Sequence, residues 1–413
     1  MFTHGRKQAV ASTAAHGACH IALSGFSQCL ANLDEVLTGP STQVREPVTR
    51  PSHAASPPRQ STLTGLRALA ALLVIGTHAA FATGKLTPDY LGSLYARLEI
   101  GVPIFFALSG YLLFTPWVTA AAAGSPAPSL RRYLRQRVRR IMPAYVVTVL
   151  GVYALYTVFE PGTNPGQSWA GLIRHLTLTQ IYTDNFLSTY LHPGLSQTWS
   201  LAVEASFYAV LPLLAHALLT AIGGRRWRPG AVLLGLATLA TIGPLWVLLT
   251  HHVAWLPNSA GMWLPAQIGA FAGGMTLAVL AHNGFQLRPT MPLMVAGAAY
   301  LVAASSVGTD APTRTVLYAV IAVAVLAPLA LGDRGWWSAL LSSRPMVWIG
   351  GISYEIFLVH VAVMAVTMNL VLRWPLFTGS MIELVALTLA VTVPLAWLLR
   401  RVTDTGRRVY ISL

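Results

Sequence analysis

Charged side chains are scarce in this chain, and lysine and the acids are scarcest. Asp, Glu, Lys and Arg make up 10% of its 413 residues, against roughly 25% in a soluble globular chain. Only 2 of the 27 basic residues are lysine. With 54% hydrophobic residues and a mean hydropathy of +0.59, the chain has too little polar surface to stand in water. That excludes a soluble enzyme and predicts a polytopic membrane protein. Cysteine is nearly absent: Cys19 and Cys29 both precede the first long apolar run, so neither a disulfide framework nor a metal cage is indicated. Residues 1–60 also lack the basic start, apolar core and small-residue cleavage site that mark a secretory leader. Residues 40–62, PSTQVREPVTRPSHAASPPRQST, are rich in Pro, Ser and Thr and read as disordered linker. The extension is expected to do no chemistry, and a start codon assigned too far upstream would leave such a segment.

What the chain does have is apolar windows of about 20 residues, the length that crosses a bilayer. They fall near 63–82, 98–117, 141–160, 198–222, 231–250, 260–281, 290–306, 313–331, 345–372 and 380–402. The prediction is an all-α integral membrane protein of about ten transmembrane helices. With the N-terminus in the cytoplasm, 21 Lys and Arg fall on the cytoplasmic side and 5 on the other, and Arg67 lies inside the first span. That asymmetry predicts both termini inside, and it accounts for the net charge of +14 without nucleic acid. No internal repeat is visible, and no loop is long enough for a further soluble domain. The chain therefore divides into an extension (1–62), a membrane domain (63–402) and a short cytoplasmic tail (403–413).

Several polar residues stand where hydrocarbon makes them expensive. The first span, LTGLRALAALLVIGTHAAF, carries Arg67 near its inner end and His78 near its outer end, roughly 16 Å apart along a helix. The plain alternatives are snorkelling of Arg67 to the interface and a core histidine satisfied by a neighbouring helix. Glu204, in QTWSLAVEASFYAVLP, is about six residues inward from the outer face on the fourth span, close to the depth of His78. A carboxylate there needs a partner, and a Glu204–His78 pair would hold one imidazole tautomer and serve a general base.

The cytoplasmic segment SLRRYLRQRVRRIMPAYV packs Arg131, Arg132, Arg135, Arg137, Arg139 and Arg140 into ten residues. Most read as orientation anchors. A helix would set Arg137 and Arg140 on one face, where two guanidinium forks can grip a phosphate or diphosphate. Such a pair suits a phosphorylated soluble donor: coenzyme A, a nucleotide or an anionic lipid head group all fit. Pro143 suggests a kinked or abrupt start to the third span. Ser109-Gly110 in the second span reads as close helix packing. Ser353, Tyr354, Glu355 and His360 on the ninth span argue that this helix lines a cavity.

Taken in order, these motifs resemble the acyltransferase-3 family of integral membrane acyltransferases over residues 63 to about 402. They are Arg67 and His78 separated by ten residues, FFALSG ending at Gly110, RVRR from Arg137 to Arg140 before Pro143, TWSLAVE ending at Glu204, and GGISYEIFLVH ending at His360. The resemblance implies a ten-helix fold that takes an acyl group from cytoplasmic acyl-CoA and passes it to a hydroxyl of a carbohydrate-like acceptor. It implies that His78 is the essential histidine and that Arg67, Arg137 and Arg140 serve the donor. Many members carry a polar residue, often aspartate, where this chain has Pro103. Some carry a fused hydrolase-like domain; this chain ends eleven residues after its last span and is expected to complete the reaction in the membrane.

The expected mechanism puts donor phosphates on Arg137 and Arg140, with Arg67 holding the donor at the inner end of a channel. His78, oriented by Glu204, either deprotonates the acceptor or carries the acyl group itself. Ser109, Ser353, Tyr354 and His360 are expected to line the cavity, with no metal and no permanently bound cofactor. The acceptor is either a cell-envelope polysaccharide or a macrolide-like natural product, and the Arg-rich, Lys-poor composition hints at a high-GC bacterium. The expected location is the bacterial cytoplasmic membrane. The rivals are a proton-coupled transporter using the same intramembrane His, Glu and Arg, and a flippase-like or lipid-scaffolding protein.

Overall fold

The computed structural model describes residues 59–404, apart from 185, 190, 224–226 and 334. Cys19, Cys29 and nearly all of the expected linker lie outside the described residues. The last four linker residues do not: they open the first helix.

Among the described residues the chain is helical and has no strands, the form that lets a backbone in hydrocarbon satisfy its own hydrogen bonds. The principal helices are α1 (Arg59–Ala82), α2 (Gly101–Ala122), α3 (Leu130–Leu155), α4 (Trp199–His216), α5 (Pro229–His252), α6 (Leu264–His282), α7 (Thr290–Ala304), α8 (Ala311–Ala330), α9 (Ser353–Val366) and α10 (Met381–Thr403). Nine helical stretches among the described residues are long and apolar enough to cross a membrane. The tenth apolar helix, α7, has 15 residues, about 22 Å of rise against ~30 Å of hydrocarbon.

Three expected boundaries move. The second span begins at Tyr90, where a short helix and a 3-10 turn run into α2. The arginine cluster expected in a loop lies within α3, because a buried Tyr133 and exposed arginines give that stretch one inner and one outer face. Pro143 sits inside the same continuous helix. The ninth span is broken at Ile352: a short helix, Arg344–Gly351, precedes α9. Gly350 in that short helix needs to be glycine, since a Cβ there would lie 1.9 Å from the Thr64 carbonyl of α1.

The centre of the fold is the seam of α2 and α6. Cβ atoms at Gly110 and Gly274 would each lie within about 2.2 Å of a carbonyl on the facing helix, so the backbones approach as only small residues allow. Ser109-Gly110 is thus the packing element that its sequence suggests. Phe106 and Phe207 both stack on Phe271 beside this seam. Against it lean α1 and α4, and α9 reaches it through Phe357 on Phe105 of α2.

The segment between α3 and α4 is tied down by a buried histidine pair. His192 Nε2–H donates to Gln167 Oε1 at 2.8 Å, and the Gln167 amide donates to the Tyr153 carbonyl. His175 is held by the Gly171 carbonyl. Burial pushes the His175 imidazole down, and pushes that of His192 down to about 3.

Candidate active site

Two cavities meet inside the bundle. The first, of about 90 Å³, is lined by Arg67 from α1, Ser109 from α2, Arg137 and Arg140 from α3, Glu204 and Tyr208 from α4, and Ser353 and Tyr354 from α9. Seven of the nine residues singled out in the sequence therefore converge, from five helices. Arg137 and Arg140 share a helix face as their spacing requires, and the Arg137 Nε is buried with no hydrogen-bond partner. A buried donor left open is costly, and beside two more guanidinium groups it suits an anion.

Glu204 belongs to this basic cavity. Its Oε1 accepts hydrogen bonds from Ser109 Oγ and from Tyr208 OH, each at 2.5 Å. The expected Glu204–His78 pair does not form, and the reason is depth. The fourth span begins at Pro193, in a 3-10 turn that runs into α4, so Glu204 is eleven residues in, about 16 Å. His78 is four residues from the end of α1. Ser353 and Tyr354 spend their hydroxyls on the Gly350 and Ile141 carbonyls, the latter tying α9 to α3.

The second cavity, about 810 Å³, is lined by His78 and Thr77 of α1, with Pro103, Trp199, His251, Gln267 and Arg314 around it. Val102 lines both cavities. Phe106, on the wall of the first, meets Trp199, on the wall of the second, edge to face with centroids 6.5 Å apart. Two sites at two depths, with Val102 in the wall of both, give the first span's ~16 Å separation a physical meaning: Arg67 opens into one and His78 into the other.

His360 does not line either cavity; it is fully buried and stands behind His78. Its Nδ1 lies 2.8 Å from the Phe357 carbonyl, which can only accept, so Nδ1 carries the hydrogen and Nε2 a lone pair in the neutral ring. That Nε2 is 3.2 Å from His78 Nδ1, which also lies 2.9 Å from the Val74 carbonyl. Both neighbours accept, so the His78 hydrogen sits on Nδ1 and the lone pair is left on Nε2. These tautomers are assigned from the partners.

Sequence reasoning missed Tyr208, Trp199, His251 and Arg314. Tyr208 had a signal, since it lies four residues after Glu204 on one helix face, and Trp199 stands inside the TWSLAVE motif; His251 and Arg314 come from segments with no motif.

A helical membrane domain with an arginine-lined and a histidine-lined cavity meeting inside it defines a membrane protein with a polar site buried between its helices. The family profile described as "Acyltransferase domain" matches residues 61–401, and the chain belongs to this acyltransferase-3 family. It is similar to the peptidoglycan O-acetyltransferase OatA of Listeria monocytogenes serovar 1/2a, with 25% identity over 339 residues, 74% of this chain and 49% of that one. It is also similar to the O-acetyltransferase OatA of Staphylococcus aureus strain NCTC 8325, with 24% identity over 200 residues, 46% of this chain and 30% of that one. The chain thus matches half or less of the length of these curated relatives. No solved structure matches it.

Proposed function

We propose that the protein is an O-acyltransferase of the bacterial cytoplasmic membrane, both termini inside, moving a short acyl group such as acetyl from acyl-coenzyme A to a hydroxyl of a cell-envelope saccharide. The observation that carries this reading is that Arg67 and His78 share one helix yet open into two cavities that meet at Val102. The relatives' names, O-acetyltransferase and peptidoglycan O-acetyltransferase, support acetyl and an envelope glycan over a natural product.

The residues of the basic cavity fit a phosphorylated donor. Arg137 and Arg140 hold phosphate oxygens, with the open Arg137 Nε as one donor, and Arg67 holds the carrier further in. Glu204 is a positioning residue here: it braces α2 through Ser109 and offsets part of the arginine charge. The carrier arm runs past Val102, bringing the thioester to His78. His78 Nε2 takes the proton of the acceptor hydroxyl as its oxygen attacks the thioester carbonyl carbon. The C–S bond then breaks, and the departing thiolate takes the proton from the imidazolium, leaving an ester and a free thiol. His360 Nε2 and the Val74 carbonyl hold Nδ1–H throughout, the orienting role a general base needs.

The test is acyl transfer from acetyl-CoA in proteoliposomes. His78→Ala is expected to reduce transfer to background while the protein still binds acyl-CoA, read as a thermal shift. A His78→Ala protein that transfers at the wild-type rate sinks the assignment, and proton flux without acyl transfer puts the transporter in its place.

A further inference from the structure

The cavity that holds His78 does not end among polar residues. A third cavity, of about 440 Å³, adjoins it, and Gly269, Thr315 and Ala319 line both. Its character is different. Thr315, Val316, Ala319, Val320, Val323, Ala324 and Ala327 of α8 form one wall, a single helix face running about 18 Å. Met291 and Val295 of the short α7 stand on one side, Ala240 and Pro244 of α5 on the other. Val316, Val320, Met291 and Val295 are exposed large apolar residues, so the groove faces outward, toward lipid. Apart from Thr315 and the Met291 thioether its side chains are hydrocarbon, which cannot satisfy a sugar's hydroxyls.

We propose that this groove seats the hydrocarbon tail of the acceptor, so that the saccharide arrives laterally from the bilayer on a lipid carrier. The occupant follows from the continuity. A chain lying along α8 reaches the junction at Gly269, Thr315 and Ala319, and whatever polar head it carries is delivered into the cavity where His78 Nε2 waits. Small residues let α6 and α8 pack closely between the two cavities: a Cβ at Gly269 would touch Ala319 Cβ, at 3.5 Å. An ordinary membrane lipid in the groove would place a head group with no function in that cavity. A polymer approaching from water would have no use for the groove.

The inference rests on the acyltransferase reading above and narrows its acceptor to a lipid-borne saccharide. The probes are methyl glucoside and dodecyl glucoside, one head with and without a tail, the latter below its solubilising concentration. Both are offered with acetyl-CoA to protein in phosphatidylglycerol–phosphatidylethanolamine vesicles. The wild type is expected to favour dodecyl glucoside by at least about tenfold in kcat/KM. Val320→Trp fills the groove without touching the polar cavity. It is expected to erase most of that preference and leave methyl glucoside within about twofold, while Leu234→Trp, on an exposed part of α5, changes neither. Partition of the tail into the bilayer is common to all these proteins, so the comparison isolates the groove. Equal loss on both glucosides, or no loss on either, overturns the lipid-borne acceptor while leaving acyl transfer standing. A wild type that acetylates neither glucoside overturns the saccharide-acceptor reading itself.

Discussion

His360 Nε2 lies 3.2 Å from His78 Nδ1, with both rings held to carbonyls of their own helices. Two imidazoles on α1 and α9 thereby fix each other's tautomer, a task that a carboxylate performs in many general-base pairs. In a bilayer this has a physical advantage, because a neutral pair avoids the desolvation cost of burying a charge.

His360 is therefore expected to act on turnover and not on binding. His360→Phe should lower kcat by about a hundredfold or more, within the range of a disabled general base, with both KM values within about twofold. His360→Gln, whose amide oxygen can accept from His78 Nδ1, should recover most of the loss. Equal rates for the two variants would show that the ring serves packing alone.

The donor arginines should separate from the histidines in steady-state kinetics. Arg137→Gln removes a charge-assisted contact of about 1.5–3 kcal/mol, so the KM for acetyl-CoA should rise roughly tenfold to a hundredfold with little change in the acceptor KM. Arg140→Gln should act in the same direction, and more weakly because Arg140 is exposed. An effect confined to the acceptor KM would remove these residues from the donor site.

Glu204 should behave as a resident of the basic cavity. Glu204→Ala leaves Ser109 Oγ and Tyr208 OH without their acceptor, at a cost of about 1–3 kcal/mol of stability, seen as a lower thermal midpoint. Glu204→Gln should alter the KM for acetyl-CoA and leave the acceptor KM unchanged. A double-mutant cycle in which Glu204→Gln and His360→Gln act independently on kcat would agree with their separation; strong coupling would restore the Glu204–His78 relay.

Acid should loosen the α3–α4 connection. His192 is buried with its pKa pushed down to about 3, while in the unfolded chain it is ~6.5. Between those values the unfolded chain binds the extra proton, so stability present near neutral pH is lost as pH falls through that window. At pH 5 the loss from His192 is about 2 kcal/mol, and His175, also pushed down by burial, adds in the same direction. His192→Asn should flatten the dependence of the thermal midpoint on pH between 7 and 5. An unchanged slope would mean the pair is hydrated.

Much of the site was legible because hydrocarbon punishes polar side chains. Arg67, Arg137, Arg140, Ser109, Glu204, Ser353 and Tyr354 stood out as anomalies, and all seven line one cavity. The ~16 Å interval from Arg67 to His78 could be read directly, since both lie on one helix. Depth was less legible across helices. Glu204 looks level with His78 when the fourth span is taken to begin at Thr198, whereas Pro193–Thr198 forms its first turns. His360 looked like a cavity residue, but helix rotation turns it inward.

By itself, then, the sequence determined a helical membrane domain, because 10% charge and windows of about 20 apolar residues have no other stable form in water or lipid. It also determined which side chains are too costly to be idle. Only the tertiary structure decided their pairings. Whether His78 meets Glu204 or His360, and whether its cavity opens toward a hydrocarbon groove, depends on the depth and rotation of each helix. Those are set by contacts such as Gly110 on Phe271 and Gly350 on Thr64, between residues far apart in the chain.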